Sequence, residues 1–212
     1  MKVTKFTVNP FGENTYVAWD EDTRQATIVD PGMMQEHERN VVTKFIDDNQ
    51  LVMQHVLLTH LHIDHVPSAR WMADRYGIPV AASPLDEMLA AALPQQAQHF
   101  RLRIDLDVLT IDQPLHDGDV VTLGSESLQV IASPGHTQGG LIFYAPDSAL
   151  AFTGDTIFEG SIGRTDLPGG DYEALISSIR ERVLTLPPET LLIPGHGPTT
   201  TVANERDYNP YL

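Results

Sequence analysis

Hydrophobic and polar positions alternate in short segments at the start of the chain, a pattern typical of β-strands. The turn residues Asn9-Pro10-Phe11-Gly12 and Asp20-Glu21-Asp22 separate these segments. Short alternating segments with turns between them predict an antiparallel meander. The three predicted strands cover residues 3–8, 15–19 and 26–29.

The hydrophobic spacing changes to that of helices after the turn Asp30-Pro31-Gly32. Pro67 suits the first turn of a helix that ends at Gly77. Residues 94–117 carry no clear pattern. The elements predicted here are helices over residues 36–49, 69–76 and 84–93, and strands over residues 52–58 and 78–82.

Strand patterns return in the second half of the chain, and one amphipathic helix interrupts them. Asp171 is the expected cap of this helix, which carries Leu175, Ile176, Ile179 and Val183 on one face. The predicted helix covers residues 171–184, and the predicted strands cover 120–123, 128–132, 140–144, 150–153 and 191–193. The fold class expected from both halves is α+β.

The composition is that of a globular protein. The chain has 212 residues, 42% of them hydrophobic and 20% charged. No linker-like stretch divides it, so we expect a single domain over residues 1–212. No apolar run approaches the roughly 20 residues that span a bilayer, and the amino terminus lacks the apolar core of a secretory signal. We therefore expect a cytoplasmic protein with no membrane partner.

Charge and the absence of cysteine narrow the chemistry. The formal net charge of −16 argues against a nucleic-acid or anionic-membrane surface and leaves a small-molecule substrate. No cysteine is present, which excludes disulfides, thiolate zinc sites and cysteine nucleophiles. Any metal ion must therefore be held by nitrogen and oxygen atoms.

Metal-ligand side chains are densest directly after the strand predicted over residues 52–58. His60, His62, Asp64 and His65 follow that apolar run. In an extended backbone, His60 and His62 point to the same side, whereas the next two side chains diverge where the chain turns. One loop could thus supply ligands to two ions.

Three later strand ends each add one metal ligand beside a glycine turn: His136, Asp155 and His196. If these ends meet, His60, His62 and His136 form one set of ligands, and Asp64, His65 and His196 form a second. Asp155 is the expected bridge, since a carboxylate has two oxygens. His99 and His116 have no other ligand type beside them and are expected to be non-ligands. Two divalent ions are expected as cofactors, zinc first, with iron or manganese as alternatives.

The ordered set His60-x-His62-x-Asp64-His65, His136, Asp155 and His196, preceded by Asp30, resembles the metallo-β-lactamase superfamily over essentially the whole chain. The resemblance implies an αβ/βα four-layer sandwich of two mixed sheets flanked by helices, with the metals at the sheet edges. It also implies that Asp30 braces the histidine loop. A metal-bridging hydroxide would attack a carbonyl, and Asp64 and Asp155 would be the catalytic carboxylates.

Within that superfamily, the residues from Thr153 to Phe158 and from Gly160 to Asp166 are similar to those of glyoxalase II, the hydroxyacylglutathione hydrolases. This similarity implies hydrolysis of an anionic thioester, S-D-lactoylglutathione or a related small thioester. Full-length glyoxalase II has a basic helical extension, whereas this chain ends soon after the last ligand. We therefore expect weak binding of the thiol portion, with Arg164 as the cation near the substrate.

Two other classes of function remain open from the sequence. The segment from Gly163 to Asp166 is also similar to the persulfide dioxygenases, in which one iron would be held by His60, His136 and Asp155. The complete ligand set favours the dimetal hydrolase. Lactonase and β-lactamase activities belong to the same class as the dimetal hydrolase. After the hydrolase and the dioxygenase, the third class is a non-enzymatic binding module. The oligomeric state is not predicted.

Overall fold

The first half of the chain forms a mixed sheet that begins with the predicted antiparallel meander. A computed structural model describes residues 1–104 and 106–212. The strands run antiparallel in the meander and parallel from the third strand onward. In spatial order they are β1 (Lys2–Val8), β2 (Glu13–Trp19), β3 (Gln25–Val29), β4 (Val52–Leu57), β5 (Val80–Ala82) and β6 (Gln113–Pro114).

The second half forms another mixed sheet, in which β10 and β13 are the parallel pair. A small separate hairpin joins β11 (Ile157–Phe158) to β12 (Ser161–Ile162). In chain order the sheet strands are β7 (Val120–Leu123), β8 (Glu126–Ala132), β9 (Leu141–Ala145), β10 (Leu150–Gly154), β13 (Leu191–Pro194) and β14 (Thr200–Thr201).

The helices lie outside the two sheets. The helices of the described residues are α1 (Glu36–Asp48), α2 (Ala69–Tyr76), α3 (Glu87–Ala91), α4 (Leu93–His99), α5 (Tyr172–Ser178) and α6 (Val202–Tyr208). A 3-10 turn, Pro84–Asp86, precedes α3, and a π-helical turn, Ile179–Val183, follows α5. None of these helices combines the length and the apolar character that a membrane crossing requires.

Three buried layers show why both faces of each sheet are apolar. In β9, Phe143 packs in the layer between the sheets, whereas Ile142 and Tyr144 pack in an outer layer that includes Leu175 of α5. The outer layer of the first sheet likewise includes Val42 of α1. Successive strand residues point to opposite faces, so a strand covered on both sides is hydrophobic throughout. The result is the four-layer arrangement of helices, sheet, sheet and helices, as predicted.

The strands and helices predicted from the hydrophobic pattern are present, with small shifts at their ends. The helix predicted over residues 84–93 is wrong in its extent: α3 stops before Ala92, and α4 runs on through residues without a clear pattern. Pro94 has no amide hydrogen, so it can occupy only the start of a helix. Pro67 lies in a turn before α2 rather than inside its first turn. Asp171 caps α5 as expected, since its carboxylate accepts from the Ala174 amide at 3.0 Å.

Candidate metal centre

The histidine loop, residues 59–65, leaves the carboxyl end of β4 and is held by Asp30 at the end of β3. Asp30 adopts a left-handed φ of +49°, and its amide donates to the Leu57 carbonyl at 2.9 Å. Its carboxylate accepts from the Thr59 amide at 2.7 Å and from the Thr59 hydroxyl at 2.6 Å. The same carboxylate lies 3.1 Å from Nδ1 of His65. Asp30 therefore sets both the loop conformation and the orientation of the His65 ring.

His60, His62 and His136 form the first group of ligands, and each offers an atom within 4.8 Å of the others. All three side chains are buried. The glycine turn after β8 delivers His136, whose Nδ1 donates to the Arg164 carbonyl at 2.7 Å. Nε2 of His136 lies 2.9 Å from Nδ1 of His62. Among the described residues, Nε2 of His62 is buried and has no hydrogen-bond partner, so this nitrogen is available to a cation.

Hydrogen bonds fix which nitrogen of His60 and of His65 carries the proton. The Thr59 hydroxyl donates to Asp30, so its oxygen can accept from Nδ1 of His60 at 3.1 Å. Nδ1 of His65 donates to Asp30. Within the described residues, the Nε2 atoms of His60 and His65 are buried and have no hydrogen-bond partner. Buried polar atoms normally have partners, so these two nitrogens are suited to metal coordination.

Asp64, His65 and His196 form the second group, again with ligand atoms within 4.8 Å of one another. His196 follows β13, and its Nε2 lies 3.2 Å from Oδ2 of Asp64. Nε2 of His65 lies 3.8 Å from the same oxygen. Two donors bound to one ion at about 2.0–2.2 Å stand roughly this far apart. The donor set therefore fits a divalent cation of the first transition row.

Asp155, at the end of β10, reaches both groups. Its Oδ1 lies 3.5 Å from Nε2 of His65. Its Oδ2 lies 3.7 Å from Nε2 of His136 and 3.6 Å from Nε2 of His196. The structure thus brings all seven predicted ligands together, and Asp155 occupies the position expected of a bridge. His99 and His116 belong to neither group.

Burial and neighbouring charges give these groups opposite tendencies to ionise. Burial lowers the pKa of His60 well below 6.5, and burial with the neighbouring His136 lowers the pKa of His62 to about 3. Both rings are therefore neutral, as metal ligands must be. Burial would also lower the pKa of His65, but the Asp155 and Asp64 carboxylates raise it above its ordinary value. Burial opposes ionisation of Asp155, yet the charge of His65 lowers its pKa.

Glu13 is a residue of this site that the sequence analysis missed. It is fully buried in β2, where its backbone forms an isolated antiparallel bridge with His196. Its carboxyl accepts from the Thr15 hydroxyl at 2.9 Å, and burial raises its pKa well above the ordinary value. The available signal was a carboxyl group at the start of a strand that is otherwise buried. Glu13 links the first sheet to the loop that carries His196.

Asp86 is a second missed residue, and it connects two ligand loops. Its Oδ2 accepts from the Leu61 amide at 3.2 Å and from the Thr137 hydroxyl at 2.9 Å. Its Oδ1 accepts from the Gly139 amide at 2.7 Å. Burial raises the pKa of this carboxyl. The residues that donate these hydrogen bonds flank or follow His60, His62 and His136, so Asp86 positions the first ligand group.

Arg164 lies beside the site but is engaged by a carboxylate. Its Nε and one terminal nitrogen each donate to Asp166 at 2.7 Å. This pair raises the pKa of Arg164 and lowers that of Asp166 to about 2. The Arg164 side chain lines a cleft of about 610 Å³ that also contacts His62, Asp64, His136 and Asp155.

Comparisons with known proteins agree with this arrangement. A family model described as the metallo-beta-lactamase superfamily matches residues 8–196. Hydroxyacylglutathione hydrolase GloC of Haemophilus influenzae is 38% identical, and the match covers 100% of this chain and 98% of that protein. The crystal structure of BLEG-1 B3 metallo-beta-lactamase has a TM-score of 0.90 at 32% identity, covering 100% and 99% of the two chains. TTHA1623 in a di-iron-bound form has a TM-score of 0.86 at 37% identity, covering 99% and 100%.

Proposed function

Since the chain belongs to the metallo-beta-lactamase superfamily and is a metal-dependent hydrolase of that kind, we propose that it hydrolyses small thioesters, in the class of S-D-lactoylglutathione. The observation that carries the proposal is the convergence of two histidine-rich ligand groups around one carboxylate. The thioester bond is supported by the 38% identity to a hydroxyacylglutathione hydrolase over the whole chain.

We assign the ligands to two metal positions. His60, His62 and His136 hold one ion, whereas Asp64, His65 and His196 hold the other. When bound, divalent ions of this kind lower the pKa of water and polarise a carbonyl oxygen. Zinc is the proposed metal because nitrogen and carboxylate donors suit it, and the di-iron form of TTHA1623 makes iron the first alternative.

The protein side chains have separate tasks in this proposal. Asp155 holds the two ligand groups in a common geometry, because its Oδ2 faces His136 of the first group and His196 of the second. Asp64 orients the attacking water, since its Oδ2 lies between His65 and His196 at the edge of the cleft. Arg164 contacts the substrate from the lining of the cleft. Asp30 keeps the histidine loop in place.

Metal analysis and thioester hydrolysis on the same sample test the proposal. The wild type should bind two divalent ions per chain and hydrolyse S-D-lactoylglutathione. Asp155→Ala should lower the occupancy of both metal positions and reduce kcat/KM by about 10- to 100-fold or more. His116→Ala is the control, because this exposed histidine pairs with Asp119 and belongs to neither ligand group.

Three outcomes would contradict this assignment. Occupancy that never exceeds one ion with excess zinc would exclude the two-ion site. One iron per chain with oxygen uptake on glutathione persulfide would favour a dioxygenase. Equal activity of Asp155→Ala and His116→Ala would refute the role given to Asp155.

A further inference from the structure

The cleft above the metal centre has one wall built from apolar side chains that are exposed to solvent. Leu85 precedes α3 and is 66% exposed, and Met88 on α3 is 83% exposed. Leu89 and Ala92 also line the cleft. We call these four residues the apolar wall. Contiguous exposed apolar surface commonly marks a binding site.

An aromatic pair lies along the same cleft. Phe11, in the turn between β1 and β2, meets Phe100 beyond the end of α4 edge to face, with ring centroids 5.5 Å apart. Each ring stays 38% exposed, and both line the cleft. Leu167 and Pro168 line it as well. The apolar surface therefore extends well beyond the four residues of the wall.

The charges in the cleft do not match a ligand that carries several carboxylates. Of the described residues that line it, Arg164 alone is a lysine or arginine, and its Nε and one terminal nitrogen already donate to Asp166. Asp64 and Asp155 also line the cleft, but both belong to the proposed metal positions, where bound cations offset their charge. Removing a carboxylate from water without a paired cation is costly. This surface is thus better suited to a hydrocarbon group than to an anionic peptide.

We propose that the preferred substrate is a thioester with an apolar substituent of several carbons that packs against the apolar wall. The inference rests on the proposed thioesterase function and narrows its substrate class. The cleft is continuous from the ligands His62 and His136 to Met88, so a carbonyl at the metal centre and a chain on the wall can belong to one molecule. A volume of about 610 Å³ is that of an ordinary small-molecule pocket.

Two series of thioesters test this proposal in the metal-loaded protein. The first varies the acyl group from acetyl to octanoyl on N-acetylcysteamine, and the second varies the thiol from methyl to hexyl on an acetyl group. The series whose chain lies on the apolar wall should gain roughly two- to fourfold in kcat/KM per methylene. Its longer members should exceed S-D-lactoylglutathione in kcat/KM.

Variants of the apolar wall show whether the dependence of kcat/KM on chain length comes from contact with the wall or only from the hydrophobicity of the substrates. Leu85→Ser with Met88→Ser should lower kcat/KM for the longest substrate far more than for the shortest. Both side chains are mostly exposed, so the protein should still fold. Val41→Ser is the matched control, since Val41 is 57% exposed on α1 and does not line the cleft. This control should leave the dependence on chain length unchanged.

Different results would overturn the two proposals. Hydrolysis that is independent of chain length in both series, or a clear preference for S-D-lactoylglutathione, would refute the apolar substituent and leave the thioesterase intact. No hydrolysis of any thioester with both ions bound would refute the thioesterase. Calorimetry with butyrate, hexanoate and octanoate then tests binding at the apolar wall without catalysis. Affinity that rises with chain length in the wild type, but not in the variant with both Leu85→Ser and Met88→Ser, supports the apolar wall as the binding surface. Equal affinities for the three acids in the wild type refute it.

Discussion

Replacing Asp86 by alanine removes the acceptor that joins two ligand loops, and the structure sets the size of the effect. The Leu61 and Gly139 amides would lose their acceptor inside the protein, and so would the Thr137 hydroxyl. A buried donor without a partner costs about 1–3 kcal/mol. The hydroxyl can rotate toward another acceptor, but the two amides cannot. We therefore expect Asp86→Ala to lower the free energy of unfolding by about 3 kcal/mol.

Urea unfolding and thermal melting of the metal-free protein measure this loss without the contribution of bound metal. For a chain of this size, about 3 kcal/mol corresponds to a melting temperature lower by about 6–12 °C. Asp207→Ala is the control, because Asp207 is an exposed carboxylate that pairs with its neighbour Arg206. The control should stay within about 0.5 kcal/mol of the wild type.

Metal affinity gives a second measure of the same variant. If Asp86 positions the loops of His62 and His136, Asp86→Ala should bind zinc at least about tenfold more weakly after refolding at low temperature. Unfolding free energy and zinc affinity both equal to those of the wild type would refute the reasoning. A loss of stability with unchanged zinc affinity would confirm the hydrogen bonds but refute the positioning role.

Three further changes have expected outcomes. Gly195→Ala should lower metal occupancy by about tenfold or more in metal analysis. A Cβ there would lie 2.4 Å from Oδ1 of Asp155 and 2.5 Å from Cε1 of His65. Gly197→Ala is the comparison variant: it has the backbone strain of a left-handed position but open space around the added Cβ, and it should retain its metal. Burial lowers the pKa of His55 below 6.5, so the unfolded chain takes up the proton first, and stability present above pH 6.5 is lost as the pH falls toward the folded pKa. Urea unfolding from about pH 7.5 to about pH 5.5 should therefore show a larger loss in the wild type than in His55→Gln, and equal losses would refute this. Chelation should lower the melting temperature, and zinc should restore it, since a ligand that binds only the native state stabilises it.

Much of the fold was predictable because both faces of each sheet are covered. Apolar segments with turn residues between them were enough to predict the number and order of most strands and helices. The break between α3 and α4 was less clear, since Ala92 and its neighbours suit a helix and only Pro94 prevents a continuous one. The short strands β6 and β14 have two residues each and carry no periodicity to detect.

The candidate metal ligands could be recognised in the sequence for a reason that does not apply to the residues around them. Histidines and aspartates placed after strands have few structural uses, so their residue types indicate the chemistry. Asp86 and Glu13 have no such signature. An aspartate before a helix is common as a cap, and the hydrogen bonds of Asp86 depend on loops far away in the sequence. Their roles follow only from the packing of the two sheets.

The distance along the chain between the ligands has a consequence for the order of events during folding. His60 and His62 follow a strand of the first sheet, whereas Asp155 and His196 follow strands of the second. Contacts between segments so distant in the sequence form late, because their closure must wait for the intervening chain to collapse. We therefore expect metal to enter an assembled sandwich and not to nucleate it, in contrast to small domains that fold around their ion. Newly synthesised chains would then pass through a folded apo stage, during which the supply of ions in the cell decides which metal is taken up.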